Sequence, residues 1–312
     1  MPRGRHWWPP MDESELESIW MTDILPIVGE RMIPASHPIT VFLGGQPAAG
    51  KTRAQRRLTG IYDGLLAPII GDDFRRYHPD YERLLSEAPL DMPDATAKAA
   101  GYWTGRAVAC ADEKRASCII EGTWRNAATV LDEAGRARRL NRGTHAVVLA
   151  VPPVLSRLGL LYRFYRDLDA GGQARWTPPK AHEGTVAALP SNVRTIATSG
   201  LFDRLSVMDR SGAFLYDGDD PDRFENVWSN RFLGGLDGDE TEQAERDLDY
   251  IESIRRETGV GLEESEPVIE EIYADLGGRD FTAELEELDD MPPRRVQPRE
   301  PKGTPRGGRW RR

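Results

Sequence analysis

The stretch that most constrains this chain is the octapeptide from Gly45 to Thr52, which reads GQPAAGKT. It matches the pattern G-x-x-x-x-G-K-[ST], whose glycines let the backbone curl until successive amides point at one anion. An apolar, β-branched run at 39–43 precedes the stretch, and good helix formers at 53–58 follow it. Because a strand, a glycine loop and a helix stand in this order, we predict a phosphate-binding loop backed by the positive end of a helix dipole.

Two residues of this loop have side chains with specific predicted roles. Lys51 is expected to reach the β- and γ-phosphates of ATP, and the Thr52 hydroxyl is expected to ligate Mg²⁺. ATP and Mg²⁺ are therefore the predicted cofactors. The predicted nucleotide-binding residues are Gly45, Gln46, Pro47, Ala48, Ala49, Gly50, Lys51 and Thr52.

Composition limits the class of protein. With 39% apolar residues and 8 tryptophans, the chain can fill a large folded core. Its formal charge of -10 argues against a nucleic-acid partner, although residues 292–312 are strongly basic. No apolar run is long enough to cross a membrane, and the start of the chain has no apolar signal core. Cys110 and Cys118 have no metal-ligand spacing and are expected to be buried in a reducing compartment, so we predict a cytoplasmic protein with no membrane partner.

Strand-like and helix-like segments alternate between residues 39 and 216. After the first strand, further strands are predicted at 68–71, 117–120 and 144–151, with a late strand pair at 204–209 and 213–216. Helices are predicted at 79–87, 94–115, 126–141, 153–169 and 180–198. Strands that alternate with helices form βαβ units, so we predict an α/β fold of the P-loop NTPase or kinase type, with a mainly parallel sheet and helices on both faces.

The predicted kinase domain has extensions on either side. Residues 1–38 are expected to form a tail and a helix, for which Ser14 and Glu17 have the spacing of a capping box. The kinase domain is placed at 39–236, an acidic helical extension at 237–290 and a basic disordered tail at 291–312. The acidic charge of the extension is expected to form a solvated face or, as an alternative, a surface for a partner.

Acidic residues follow two of the predicted strands directly. Asp72 and Asp73 come after the predicted strand at 68–71, and Glu121 comes after the predicted strand at 117–120. In an open α/β sheet, ligands bind beyond the carboxyl ends of the strands. A carboxylate at that position can ligate Mg²⁺ or accept a proton from a hydroxyl nucleophile, whereas the alternative roles are a helix cap and a surface charge.

Phosphoryl transfer also requires cations that stabilise the charge of the transition state. Arg163 and Arg166 lie one turn apart on a predicted helix, and Arg175 lies in a glycine-containing loop at 170–176. No spacing argument selects among these arginines. The residues alone therefore indicate a Mg-ATP-dependent phosphotransferase and leave its acceptor open.

Four segments in order resemble the zeta toxin family. They are Leu43–Thr52, with its Gly-Gln-Pro opening, Gly71–Tyr81, with a Gly-Asp start and a trailing His-Pro, Ile120–Thr123, and Gln173–Pro178 followed by His182. The resemblance covers about residues 39 to 217. It implies an ATP-dependent kinase that phosphorylates the 3′-hydroxyl of UDP-N-acetylglucosamine and so blocks the synthesis of cell-wall precursors. It also implies a small helical antitoxin as a partner that obstructs the ATP site.

The resemblance also assigns roles to individual residues. Asp72 matches the general base, although its neighbour Asp73 leaves the register open by one residue. Glu121 matches an acid near the sugar and the metal, so Thr52 and Glu121 are the predicted metal ligands. The predicted catalytic residues are Lys51, Asp72, Arg163 and Arg175, and the predicted substrate-binding residues are Asp73, Arg75, Glu121 and Thr123.

Three other functions stay open from the sequence, the third of them with little support. One is a kinase that inactivates an antibiotic, since the phosphate loop is similar to that of chloramphenicol phosphotransferases. The second is an ATP-binding regulatory or interaction protein, whose acidic helices and basic tail would bind partners. A kinase of nucleic-acid ends is favoured only by the basic tail.

Overall fold

The computed structural model describes residues 11–88, 91–172, 174 and 176–277. Its strands are β1 (Ile39–Gly44), β2 (Ala67–Ile70), β3 (Cys118–Glu121), β4 (Gly143–Leu149), β5 (Arg204–Met208) and β6 (Phe214–Gly218). Its helices up to β4 are α1 (Glu13–Ile19), α2 (Leu25–Glu30), α3 (Lys51–Ile61), α4 (Gly71–Phe74), α5 (Tyr81–Glu87), α6 (Met92–Ala95), α7 (Ala97–Glu113) and α8 (Ala127–Arg139). The later helices are α9 (Pro153–Asp169), α10 (Pro179–Ala197), α11 (Pro221–Phe232), α12 (Gly238–Thr258) and α13 (Leu262–Asp275).

The six strands form one sheet in the order β2-β3-β1-β4-β5-β6. All neighbouring strands are parallel except β6, which runs antiparallel to β5. The short connection from 209 to 213 is a hairpin, which joins antiparallel strands, whereas the other connections are longer crossovers. The predicted α/β fold with a mainly parallel sheet is confirmed.

Alternate residues of the central strands face two different helical layers, as the period of a strand requires. Val41 and Leu43 of β1 face the core that contains α3, α9, α12 and α13. Phe42 faces the core that contains α8, α10 and α11. A third core covers β2 and contains α7 and the amino-terminal helices, where Trp20 and Trp103 are fully buried. The sheet is therefore covered on both faces, which explains the continuous apolar character of its central strands.

The amino-terminal helix begins two residues earlier than its predicted capping box. Asp12 accepts from the amide of Glu15 at 2.9 Å, and Glu15 accepts from the amide of Asp12 at 3.0 Å. The prediction of Ser14 and Glu17 as the box was wrong, because Asp12 and Glu15 form the box two residues upstream. Glu17 instead accepts from the Tyr102 hydroxyl at 2.7 Å. The prediction of one helix at 94–115 was also wrong, since α6 ends before Thr96 and α7 starts after it.

The two helices after β6 and α11 pack against α9. Leu248 and Ile251 of α12, and Ile269 and Ile272 of α13, are buried in the same core as α9. Most acidic residues of α13 are exposed, as a solvated face predicts, whereas Glu266 is half-buried and pairs with Arg255. The predicted domain division stays a prediction, and the parts of it at 1–10 and 278–312 lie outside the described residues.

Two other predictions concern the cysteines and membrane-spanning helices. Cys110 and Cys118 are buried free thiols, as predicted. Among the described residues, no helix is both long and apolar enough to cross a membrane.

A buried polar network lies near the start of β4. His145 Nε2 is 2.7 Å from the Ser206 hydroxyl, which donates to Asp217 at 2.7 Å, and the Tyr62 hydroxyl is 2.8 Å from His145 Nδ1. Since the Ser206 proton goes to Asp217, the serine oxygen accepts from Nε2–H and Nδ1 accepts from Tyr62. Burial lowers the pKa of His145 to about 3, so the neutral ring holds these strands together.

Candidate active site

The phosphate loop has the backbone shape that an anion cradle requires. It connects β1 to α3, and its φ angles are positive at Gly45 (150°), Ala48 (61°) and Gly50 (98°). Gly50 precedes the first residue of α3, and a Cβ at Gly50 would press on the carbonyl of Arg210. Within the described part of the chain, no residue accepts from the amides at 50–52. These amides and the helix dipole of α3 are available for a phosphate group.

Lys51 lies along the loop that precedes it. Its Nζ donates to the carbonyl of Gly45 at 2.9 Å and to that of Gln46 at 3.1 Å. Burial lowers the pKa of the ammonium group, while Glu121 and Asp72 oppose this shift. A half-buried cation held by carbonyls beside two carboxylates is well placed to bind an anionic ligand at the loop.

The register of three parallel strands brings the predicted acids to this loop. Glu121 of β3 pairs with Leu43 of β1 on one side and with Ile70 of β2 on the other. The chain leaves Leu43 toward the phosphate loop and leaves Ile70 toward Asp72, so the loop, Glu121 and Asp72 lie at one sheet edge.

The pKa of the Glu121 carboxyl is shifted by burial and by nearby charges. Burial raises its pKa, Lys51 opposes that shift, and Asp72 and Asp73 raise the pKa further. These interactions require that the three acids lie near one another. The structure thus brings together Lys51, Asp72, Asp73 and Glu121.

Asp72 and Asp73 differ in their surroundings. Asp72 is 61% exposed and its Oδ1 accepts from Arg75 Nε at 2.8 Å. Arg75, at 17% exposure, also donates to Thr96 Oγ1 at 2.7 Å and to the carbonyl of Pro93. The arginine therefore fixes α4 against α6 and α7, and it orients Asp72 at the same time. Asp73 is exposed.

Arg163, Arg166 and Thr123 differ in their contacts and their exposure. Arg163 donates from Nη2 to Thr177 Oγ1 at 3.0 Å, and it lies near enough to Lys51 to lower the pKa of the lysine. Thr123 is half-buried, and its hydroxyl accepts from the amide of Arg125 at 3.4 Å. Arg166 is exposed and pairs with Asp167, so it does not share the surroundings of Arg163. Arg175 lies outside the described residues.

The oxygen donors at the site fit a magnesium ion that arrives with a nucleotide. Thr52 is exposed in the first turn of α3, and Glu121 offers a carboxylate from the end of the adjacent strand β3. Over the described ranges there is no group of three or more His, Cys, Asp or Glu side chains that could hold a metal. Mg²⁺ usually takes one or two protein oxygens together with phosphate oxygens and water, which is the set available here.

Two features around the loop were missed from the sequence. Trp124 is buried with a positive φ of 58°, and a Cβ at Gly44 would lie within its ring, so this indole packs directly on the end of β1. Gln46 is buried, and its amide donates to the carbonyl of Val151 at 2.7 Å. Neither contact has a local signal, because each joins residues far apart in the chain. The positive φ of a tryptophan in particular cannot be read from composition.

Two known bacterial toxins are similar to this chain in sequence. Toxin zeta of Streptococcus agalactiae is 29% identical over 180 residues, which are 57% of this chain and 63% of that protein. Toxin PezT of Streptococcus pneumoniae serotype 4 is 31% identical over 185 residues, which are 59% of this chain and 73% of that protein. The matched region thus spans less than two thirds of the length of the zeta toxin from S. agalactiae.

A solved structure also shares the fold. A chain from the PezAT chromosomal toxin-antitoxin system of Streptococcus pneumoniae superimposes with a TM-score of 0.67 at 23% identity, and the match covers 78% of this chain and 97% of that chain. A family model described as zeta toxin matches residues 28–220, which is more than half of the chain. This chain therefore belongs to the zeta toxin family.

Proposed function

We propose that this protein is an ATP- and Mg²⁺-dependent kinase that transfers the γ-phosphoryl group of ATP to an alcohol. The observation that carries the proposal is the strand register that sets Glu121 between the strand leading to the phosphate loop and the strand leading to Asp72. A kinase needs a cradle for the triphosphate, a base for the acceptor hydroxyl and cations for the transferred charge. The sheet edge offers residues for each of these needs.

Each residue has a distinct role in the proposed reaction. The amides of the phosphate loop and the Lys51 ammonium bind the β- and γ-phosphates. Asp72 orients the acceptor hydroxyl and takes its proton as its oxygen bonds to the γ-phosphorus, while the bond from that phosphorus to the β–γ bridging oxygen breaks and ADP leaves. Arg163, together with Arg175 from the family segment at 173–178, stabilises the charge on the transferred phosphoryl group.

The metal is proposed to bind between the loop and the neighbouring strand. Thr52 and Glu121 would hold Mg²⁺, which would supply positive charge to offset that of the phosphates. Asp73, Arg75 and Thr123 are the proposed contacts to the acceptor. The interaction of Arg75 with Asp72 gives Arg75 a second role, since it orients the proposed base.

For the acceptor we propose the 3′-hydroxyl of UDP-N-acetylglucosamine. Membership of the zeta toxin family supports this choice, as do the three family segments that follow the phosphate loop. The phosphorylated sugar nucleotide could not be used for cell-wall precursors, so the protein would act as a toxin in the cytoplasm. A small helical antitoxin that covers the ATP site is the proposed partner, and the toxin–antitoxin system of the structural relative supports it.

Expression in a bacterial host tests this function. We expect wild-type protein to arrest growth and phosphorylated UDP-N-acetylglucosamine to accumulate in extracts, whereas the Lys51→Ala variant at equal abundance does neither. Normal growth with wild-type protein, together with protection from an antibiotic, would instead identify a resistance kinase. Growth arrest that Lys51→Ala leaves unchanged would show that ATP chemistry is not the cause.

A further inference from the structure

A line of buried polar contacts leads from the phosphate loop to helix α13. The amide nitrogen of Gln46 is 2.7 Å from the carbonyl of Val151 and 3.4 Å from the hydroxyl of Ser156. That hydroxyl is 2.7 Å from His182 Nε2, and His182 Nδ1 is 2.6 Å from a carboxylate oxygen of Glu183. Four side chains from the loop, α9 and α10 are thus connected.

The direction of the hydrogen bonds follows from the chemistry of each group. Glu183 can only accept, so His182 Nδ1 donates to it. Burial lowers the pKa of His182, so the ring is neutral and Nε2 is an acceptor. The single proton of the Ser156 hydroxyl is therefore shared between Nε2 and the carbonyl of Pro153, which are 2.7 and 2.8 Å away. The Ser156 oxygen then accepts from the Gln46 amide. In the described chain the other amide atom of Gln46, Oε1, is buried and has no partner, so Nε2 alone holds this side chain.

Arg157 connects the outer end of this line to α13. Its Nη2 is 2.6 Å from Glu183, its Nε is 2.9 Å from Glu271, and its Nη1 is 2.7 Å from Asp275. The guanidinium is only 11% exposed, so its ion pairs are better protected from water than ordinary surface pairs. Glu271 and Asp275 belong to a helix that lies beyond residue 220, where the family match ends.

The Ser-His-Glu arrangement is not a second catalytic centre. Ser156 and His182 are 0% and 1% exposed, so no substrate reaches the serine oxygen. A hydrogen-bonded serine and histidine that are sealed in this way can act only through the residues they touch. The residue they touch on the functional side is Gln46 of the phosphate loop.

We propose that Ser156 and His182 are positioning residues for the phosphate loop, and that Arg157 anchors them to α13, so that the helix after the family domain helps to set the shape of the nucleotide site. The effect on the loop does not depend on the reaction. The effect on ATP affinity rests on the proposed function. A network that holds a loop should slow its opening, and it should improve binding of a ligand that needs the closed shape.

Two histidine variants separate positioning from simple packing. The amide of glutamine reaches the place of Nε2, whereas that of asparagine reaches the place of Nδ1. We therefore expect His182→Gln to keep the contact with Ser156 and to behave like wild type. We expect His182→Asn to lose the contact with Ser156 and to expose the loop. Hydrogen exchange in a peptide covering 45–52 should then be about fivefold faster, which is the change expected when one ordinary hydrogen bond is lost.

The outer anchor is tested by a pair of double variants on the same helix. Glu271→Gln with Asp275→Asn removes two charges that contact Arg157, while Glu263→Gln with Glu270→Gln removes two exposed charges that make no described contact with it. We expect the first pair to speed exchange at 45–52, by less than His182→Asn does, and the second pair to leave it unchanged. Thermal unfolding of each variant shows that the fold is intact.

The outcomes distinguish this inference from the proposed function. The inference is supported if His182→Asn shows faster loop exchange and binds Mg-ATP about fivefold more weakly than wild type, while His182→Gln matches wild type in both measurements. Equal exchange in both histidine variants and wild type overturns it. If wild type shows the predicted exchange pattern but phosphorylates no sugar nucleotide, the inference stands and the proposed function fails.

Discussion

At the scale of single residues, the two adjacent acids after β2 have different surroundings. Both are exposed, and Arg75 orients Asp72 through an ion pair. We predict that Asp72→Ala lowers the rate of phosphoryl transfer about 10²- to 10⁴-fold, the usual loss for a general base, while ATP still binds. Steady-state kinetics with a direct ATP-binding assay measures both effects. Full activity in Asp72→Ala, with loss in Asp73→Ala, would move the base by one residue.

Glu121 illustrates a conflict between function and stability. Because burial raises the pKa of its carboxyl, the ionised form that Mg²⁺ requires is disfavoured in the folded protein. We predict that Glu121→Gln raises the free energy of unfolding by roughly 1 kcal/mol, or Tm by about 2 °C, while it abolishes Mg²⁺-dependent transfer. Calorimetry and an activity titration with Mg²⁺ check the two parts. A less stable variant would contradict this account of the carboxylate.

His145 predicts a specific pH dependence of stability. The pKa of its ring is about 3 in the folded protein and near 6.5 when unfolded, so the ring takes up a proton on unfolding. Its contribution is complete above pH 6.5 and is lost as the pH falls from 6.5 toward 3, at about 1.4 kcal/mol per pH unit. Denaturant unfolding at several pH values should show a shallower slope for His145→Gln than for wild type. Equal slopes would show that this ring does not titrate on unfolding.

At the scale of elements, local chemistry predicted most segments, but it misplaced the first cap. The corrected cap makes a matched prediction: Asp12→Ala should cost about 1 kcal/mol of stability, while Ser14→Ala should change it little. Chemical denaturation of both variants measures the difference. A larger loss in Ser14→Ala would restore the box that the sequence first suggested.

The phosphate loop was predictable because its chemistry is local. Glycines, a lysine and a threonine at fixed spacing define it, and the flanking strand and helix lie within a few residues. Gln46 has contacts that were not predictable, since its partners Val151 and Ser156 lie more than a hundred residues away. Trp124 is a similar case, because its position over Gly44 depends on the pairing of β1 with β3.

At the scale of the whole molecule, the sheet decides which residues meet. The sequence predicted strands ending in acids, and a parallel sheet places their carboxyl ends at one edge. The strand order was not predicted, yet that order puts Glu121 between the strands that lead to Lys51 and to Asp72. The acidic segment after β6 was expected to be a solvated face, but its apolar residues also complete the core beside α9.

The most direct test of the central claim is the transfer itself. Purified protein is incubated with Mg-ATP and UDP-N-acetylglucosamine, and the sugar nucleotide is analysed by mass spectrometry, with Lys51→Ala as the control. The account predicts a gain of one phosphate on the sugar nucleotide, with wild type only. Wild-type protein that binds ATP but leaves UDP-N-acetylglucosamine and every other UDP-sugar unmodified would contradict it.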